Sequence, residues 1–254
     1  MRHFSTRGPT YLLIGAVALV VLILLLPLVG ATEPLFAARI VAYALVLVPV
    51  SLLLHGSFVA AGGYSTSRLL ALGAVCAVIG LSSAFLASPE DLVDGSGVLV
   101  LLALCVADLA RILAAACLGI VLARYITSVG TVVIIVLAAI AADLFSVFAG
   151  PTRALVQEDS PLLDGLLLVF PTFGSALGFG LGLSDFIFLA LFAAASRFLH
   201  LRYAATLLGL CFATFLAVTA GLLLARPLPA LPFIALAFVV VNADLIVSSV
   251  AKRR

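Results

Sequence analysis

Charge is the property that this sequence has least of. Of 254 residues, 13 are Lys or Arg and 11 are Asp or Glu, so that 9% of the chain is charged while 65% is hydrophobic. A soluble domain carries charge on about a quarter or more of its surface residues, and this chain has too little to cover a soluble fold. The composition therefore excludes a soluble globular protein and indicates one that lies in a lipid bilayer. The net charge of +2 gives no reason to expect a nucleic-acid partner.

Metal-binding residue types are scarce as well. The sequence has four cysteines and three histidines, and no two cysteines have the CxxC spacing of a zinc or redox site. The cysteines all fall in apolar runs, where cysteine packs as a small hydrophobic side chain. His55 stands alone in such a run, and we interpret it as a packing or hydrogen-bonding residue. The sequence predicts no metal site and no cofactor.

Long apolar runs are abundant. About 20 apolar residues suffice for a helix to cross the hydrocarbon core, and the runs lack the alternation that a membrane barrel requires. The sequence therefore predicts an all-α polytopic membrane protein of eight, or at most nine, spans. No cleavage site closely follows the first run, Tyr11–Leu26, so we expect a retained span rather than a signal peptide. The eight spans lie near residues 10–30, 37–60, 68–88, 97–123, 126–149, 178–198, 203–225 and 229–249.

One apolar segment does not fit a helix. Between Pro161 and Phe179 the chain is interrupted by Pro171 and by several glycines, which break helices. We expect an extended or re-entrant segment. Non-helical backbone at membrane depth is tolerated only where protein or water covers it, so the segment is expected to border a cavity.

The distribution of basic residues predicts the orientation. With eight spans, one side of the membrane receives only Arg39, Arg153 and Arg226. By the positive-inside rule, the other side and both termini are cytoplasmic. The cytoplasmic basic residues would be Arg2, Arg7, Arg68, Arg124, Arg197, Arg202, Lys252, Arg253 and Arg254.

Asp143 and Asp185 each lie inside a strongly apolar run. Asp143 is near the end of the fifth predicted span and Asp185 near the start of the sixth, so both are expected at similar depth on the extracytoplasmic side. Ionisable residues in membrane spans are costly and usually functional. Two carboxylates a few ångströms apart cannot both ionise in a low dielectric, and they share one proton. Such a pair can activate water while it protonates a peptide carbonyl.

The residues around both aspartates resemble the presenilin and signal peptide peptidase family. Residues 142–147, ADLFSV, followed by 150–156, GPTRALV, look like the family's first catalytic motif. Residues 182–185, GLSD, resemble its GxGD motif, and Pro229-Ala230-Leu231 matches its PAL motif just before the last span. All three occur in the family's order. The likeness covers about residues 140 to 250.

The resemblance implies an intramembrane aspartyl protease that cuts transmembrane helices or signal peptides. It implies that Asp143 and Asp185 are catalytic. We expect residues 1–125 to form four N-terminal spans and residues 126–254 to form the catalytic core. The resemblance also implies that an unwound substrate strand is held by the PAL region and by the chain before the second aspartate. The substrate-binding residues would be Gly182, Leu183, Ser184, Pro229, Ala230 and Leu231.

Two departures keep alternatives open. Where the family has Tyr-Asp this chain has Ala142, and Ser184 stands where the family has the second glycine of GxGD. A catalytically inactive membrane binding or chaperone-like relative is the first alternative, and a transporter or channel with a broken helix is the second. The glycines between 178 and 182 could also serve close helix packing.

Three further groups of polar residues have less specific interpretations. Asp108 and Arg111 are three residues apart in the fourth span and are interpreted as an internal ion pair, with a proton relay as the alternative. Asn242 and Asp244 are interpreted as interhelical hydrogen-bonding residues or an interfacial helix end. The basic residues 252–254 are expected to contact anionic lipid headgroups rather than nucleic acid.

Overall fold

The structure is a computed structural model that describes residues 7–29, 36–86, 97–150, 165–224 and 228–251. It is mostly helical. The chain divides into two compact units. The first unit comprises residues 1–117 and 164–183, and the second comprises residues 118–163 and 184–254.

Helices account for most of the described residues. Six of them are long and apolar enough to cross a membrane, and α8 with α9, bent by 69° at a short break, counts as a seventh if the pair is one span. Helix α6 has 16 residues, fewer than the roughly 20 that a straight crossing needs. The protein is therefore multi-pass, and the number eight stays a prediction. The helices are α1 Arg7–Leu25, a short 3-10 helix Leu26–Leu28, α2 Phe36–Ala61, α3 Thr66–Leu86, α4 Gly97–Arg124, α5 Val129–Phe148, α6 Leu183–Phe198, α7 Tyr203–Leu224, α8 Leu231–Val241 and α9 Ala243–Ala251.

In the first unit, α1 and α2 approach each other closely because glycines face the crossing. A Cβ atom at Gly15 would lie 2.9 Å from the Leu53 nitrogen, and one at Gly56 would lie 2.7 Å from the Leu12 nitrogen. Small residues allow such contact between membrane helices, where packing replaces the hydrophobic effect as the driving force. His55 lies beside this crossing, with its ring edge-on to Tyr11 at 5.0 Å, which agrees with its interpretation as a packing residue.

The first unit also contains a β-hairpin, which the all-α prediction lacks. Strands β1, Leu167–Thr172, and β2, Ser175–Gly182, pair antiparallel. The prediction of an extended segment is confirmed for this part of 161–179. The sixth span, predicted from residue 178, begins at Leu183, and the glycines from 178 to 182 lie in a strand rather than at a helix-packing surface. This segment forms a strand because buried Phe179 and Leu181 alternate with glycines. Such a pattern repeats every two residues, as in a strand, rather than every 3.6 residues, as in a helix.

Aromatic packing and one loop contact hold the hairpin. Phe170 and Phe179 face each other across the strands with ring centroids 5.4 Å apart. Tyr43 of α2 lies edge-on to Phe179 at 4.5 Å. At the tip, the Gly174 N–H donates to the Leu26 carbonyl at 3.1 Å. One face of the hairpin is therefore buried against α2, and its tip is fixed to the 3-10 helix.

We predict that Gly174→Ala destabilises the hairpin tip. Gly174 has φ 72°, a conformation that costs a residue with a Cβ about 1–2 kcal/mol. Faster amide hydrogen exchange at Leu168 and Phe170, measured in detergent micelles, would show the effect. Gly180→Ala is the matched control, since its Cβ would meet nothing closer than 3.7 Å. Equal exchange in the two variants would contradict the prediction.

Candidate functional site

Helix α5 carries Asp143 within the second unit. The helix begins after Ser128, whose hydroxyl accepts the Thr131 N–H at 3.2 Å as an N-terminal cap. Helix α5 packs against α8. From α5, the half-buried Asp143 reaches α8, and its Oδ2 accepts the backbone N–H of Leu231 at 3.0 Å. The first aspartate and the third residue of the PAL motif are therefore in direct contact.

The local sequence explains why Leu231 offers this N–H. The first N–H groups of a helix have no partner within the helix. Ala230, the residue before α8, has no side chain that can cap it. Pro232 has no N–H, and the next two N–H groups, of Phe233 and Ile234, donate to the Ala230 carbonyl at 3.1 Å each. Asp143 satisfies the Leu231 N–H from another helix, and its carboxylate lies at the positive end of the α8 dipole.

Asp185 occupies a corresponding place on α6. That helix starts directly after β2, without a connecting loop, and Asp185 lies in its first turn. Its side chain is half-buried, while the neighbouring Ser184 is exposed. Negative charge in the first turn of a helix is favoured by the helix dipole. Each of the two aspartates therefore lies at a helix N-terminus, Asp185 within its own helix and Asp143 beside another.

Contacts at the opposite end of the second unit show that α6 and α8 run in the same direction. Arg202 lies in the short connection that follows α6, and its backbone N–H donates to Asn242 Oδ1 at 3.2 Å. Its guanidinium donates to the Val241 carbonyl at 3.2 Å and to both carboxylate oxygens of Asp244 at 2.9 and 2.6 Å. The ends of α6 and α8 therefore lie together.

Stacked aromatic rings then bring the beginnings of the two helices to one level. The buried rings of Phe192 on α6 and Phe238 on α8 stack with centroids 5.1 Å apart. Asp185 precedes Phe192 by seven residues and Leu231 precedes Phe238 by seven, which is about two turns or roughly 10 Å in each helix. Asp185 and Leu231 thus lie at the same end of the second unit, and Asp143 is bonded to Leu231 at that end.

The break between α8 and α9 is stabilised by a buried amide. Asn242 is fully buried, and its amide donates to the Thr206 hydroxyl and to the Phe238 carbonyl, each at 2.9 Å. The interpretation of Asn242 as an interhelical hydrogen-bonding residue is confirmed. The ion pair between Arg202 and Asp244 was not foreseen, because residues 42 positions apart show no relationship in the sequence.

A second residue missed at the sequence level is Gly119, near the end of α4. A Cβ there would lie 2.6 Å from the Ile187 carbonyl oxygen and 2.7 Å from the Ala190 Cβ. The α6 helix that carries Asp185 therefore packs on bare α4 backbone at this position. Three consecutive alanines at 114–116 precede Gly119, and such small residues were the available signal for close packing.

The other predicted substrate-binding residues are also described. Gly182 and Leu183 are half-buried where β2 meets α6, and Pro229 and Ala230 are buried before α8. Residues 151–156 of the first motif and the basic residues 252–254 lie outside the described residues. The described residues contain no group of three or more metal-ligating side chains. The contacts described at this site are made by carboxylate side chains and backbone groups.

We predict that removing the Asp143 acceptor weakens the fold, independently of any catalysis. Asp143→Leu leaves the buried Leu231 N–H unsatisfied, which lowers the free energy of unfolding by about 1–3 kcal/mol. Asp143→Asn keeps an acceptor oxygen and stays within about 1 kcal/mol of the original protein. Thermal unfolding in detergent micelles compares the two, and equal stability of both variants would argue against the contact.

We predict that Gly119→Ala destabilises the second unit. The new Cβ overlaps α6 backbone, and such overpacking costs about 1–3 kcal/mol. The matched control is Gly130→Ala, where the Cβ would lie no closer than 3.8 Å to the Ser128 hydroxyl. The control should leave the melting temperature unchanged or slightly raise it, since glycine is unfavourable in helices. A harmless Gly119→Ala would show that the α4–α6 contact is looser than described.

Comparison with known proteins does not assign a function to this site. No family model, curated protein or solved structure matches the chain. The functional interpretation therefore depends on the residues and on the contacts that they make.

Proposed function

We propose that this protein is an intramembrane aspartyl protease that hydrolyses peptide bonds within transmembrane helices or signal peptides. The observation that carries the proposal is the hydrogen bond from the Leu231 N–H to Asp143 Oδ2. It joins the first predicted catalytic aspartate to the PAL motif, two elements 88 residues apart in the sequence.

In the proposed chemistry, Asp143 and Asp185 form a dyad that shares one proton. One carboxylate removes a proton from water as the water attacks the scissile carbonyl carbon, and the other donates a proton to the carbonyl oxygen. The common end of α6 and α8 supports such a pairing, because it puts Asp185 at the level of Leu231. Two helix N-termini also stabilise negative charge there. The dyad and water are sufficient for the reaction.

The β-hairpin supports another requirement of this function, the binding of an unwound substrate segment. A transmembrane helix hides its peptide bonds in internal hydrogen bonds, so a substrate segment must unwind before it is cut. An unwound segment regains hydrogen bonds by adding to a strand. Strand β2 ends at Gly182, three residues before Asp185. We propose, as the resemblance implies, that Gly182, Leu183, Ser184 and the PAL residues bind the substrate strand.

The departures at Ala142 and Ser184 are compatible with this chemistry. Ala142 is exposed, so the ring that the family places there would not be buried in this protein. Ser184 is also exposed, and its hydroxymethyl group adds little volume.

We further propose eight spans with cytoplasmic termini, supported by the distribution of basic residues.

Substitution of either aspartate tests the proposal. Purified protein in liposomes should cleave a single-span peptide, and Asp143→Asn or Asp185→Asn should each lower the rate by at least about 10²-fold, because each removes a general acid or base. Asp244→Asn is the matched control, since Asp244 lies in an exposed ion pair at the other end of the unit. Mass spectrometry of the products measures the cleavage.

Cleavage that survives either dyad substitution would contradict the protease. Stoichiometric peptide binding without cleavage by the unaltered protein would instead identify the non-catalytic relative. Solute or ion flux through the liposomes that depends on Asp143 would favour the transporter.

A further inference from the structure

Asp108 and Arg111 form a buried ion pair on α4 in the first unit. Arg111 Nη1 donates to Asp108 Oδ1 at 3.3 Å, and the two side chains are 3% and 0% exposed. The interpretation as an internal pair is thus confirmed. A Cβ at Gly80 of α3 would lie 2.7 Å from the Arg111 Cγ. The aliphatic part of the Arg111 side chain is therefore packed against α3.

The pair does more than neutralise itself, because it bonds to the β-hairpin. Arg111 Nη1 also donates to the Leu167 carbonyl at 2.7 Å. The backbone N–H of Val169 is a hydrogen-bond donor to the Asp108 carboxylate. One side chain thus satisfies a carbonyl of β1 and the other satisfies an N–H two residues later.

These two contacts identify the outer edge of β1. Alternate residues of a strand direct their backbone groups to the same edge, so Leu167 and Val169 face α4 rather than β2. A neighbouring strand would bond to β1 in the same way. It would donate a hydrogen bond to the carbonyl of one residue and accept one from the N–H two residues later. The ion pair takes the place of a third strand at that edge.

The same alternation identifies the open edge of the hairpin. Leu167 lies opposite Gly182 and Val169 lies opposite Gly180. Since the backbone groups of Leu167 and Val169 point away from β2, those of Gly180 and Gly182 point away from β1. The sheet has two strands among the described residues, and Gly180 is exposed. Glycine has no Cβ to keep another backbone away.

We propose that Asp108 and Arg111 are positioning residues that close the outer edge of β1, so that an extended substrate segment adds only to β2, at Gly180 and Gly182. This rests on the proposed function and assigns the pair a role in it. By holding Leu167 and Val169, the pair also prevents β1 from sliding along β2. The edge and the register at which the substrate is received are then set before the chain enters α6.

Photo-crosslinking tests the choice of edge without requiring cleavage. The probe is a single-span peptide of roughly 25 residues with a diazirine side chain near its centre and a reduced amide at the cleaved bond. With the full-length protein in liposomes, crosslinks mapped by mass spectrometry should fall on β2 and not on β1. Gly180→Pro removes an outward N–H, a change that strand edges tolerate, and should reduce crosslinking at least about 5-fold. Gly130→Ala, a substitution in α5 outside the hairpin, should not.

The pair itself is tested by a neutral double variant, Asp108→Val/Arg111→Met. Replacing both members of a buried ion pair with apolar residues often preserves stability, whereas removing one leaves a buried charge unpaired. The melting temperature should stay close to that of the original protein, while crosslinks spread to Leu167 and Val169 and cleavage of an ordinary peptide occurs at more than one bond. Arg111→Lys, made alone, keeps the charge and hydrogen-bond donors and should leave crosslinking on β2 alone.

The outcomes separate this proposal from the protease itself. A folded double variant with unchanged crosslinks and a single cleavage site would show that the pair only stabilises packing, and the proposal would be wrong. Crosslinks on β1 in the original protein, or none on the hairpin despite cleavage, would also overturn it while the protease stands. Crosslinks as expected without cleavage would uphold the edge assignment and reject the protease.

Discussion

Unpaired backbone groups are the constraint on which this structure depends. In apolar surroundings an N–H or C=O without a partner costs several kcal/mol, so the backbone groups at each interruption of regular structure need another hydrogen-bond partner. At the start of α8 the partner is Asp143, which accepts the Leu231 N–H. At the outer edge of β1 it is Arg111 together with Asp108. At the break between α8 and α9 it is Asn242, whose side-chain amide donates to the Phe238 carbonyl.

Asp143, the Asp108–Arg111 pair and Asn242 therefore each bond to the backbone where regular structure is interrupted. This gives a physical meaning to the sequence Pro-Ala-Leu-Pro at 229–232. Alanine cannot cap the helix, the second proline has no N–H, and the intervening leucine is left with a donor that only another element can satisfy. A carboxylate held in this way has a fixed orientation, which acid–base chemistry at a peptide bond requires. A helix start that stabilises the fold is thus also suited to position a reactive group.

Much of the helical architecture follows from the sequence. The apolar runs gave α4 and α5 to within a few residues, and the three-residue spacing of Asp108 and Arg111 gave their ion pair, because both depend on local periodicity. The hairpin was foreseen only as extended chain. Its register depends on Phe170 meeting Phe179 and on Tyr43 of a distant helix. Contacts of that kind leave no periodic signal in the sequence.

Hydropathy and the cost of burying charge are sufficient to indicate a membrane protein, to locate most helices and to single out Asp143 and Asp185. The contact of Asp143 with Leu231, the common end of α6 and α8 in their unit, and the bond of the Asp108–Arg111 pair to a strand are visible only in the folded structure. Such contacts join residues up to 88 positions apart. They depend on which backbone groups each fold leaves unpaired, and that is known only once the helices and strands have packed.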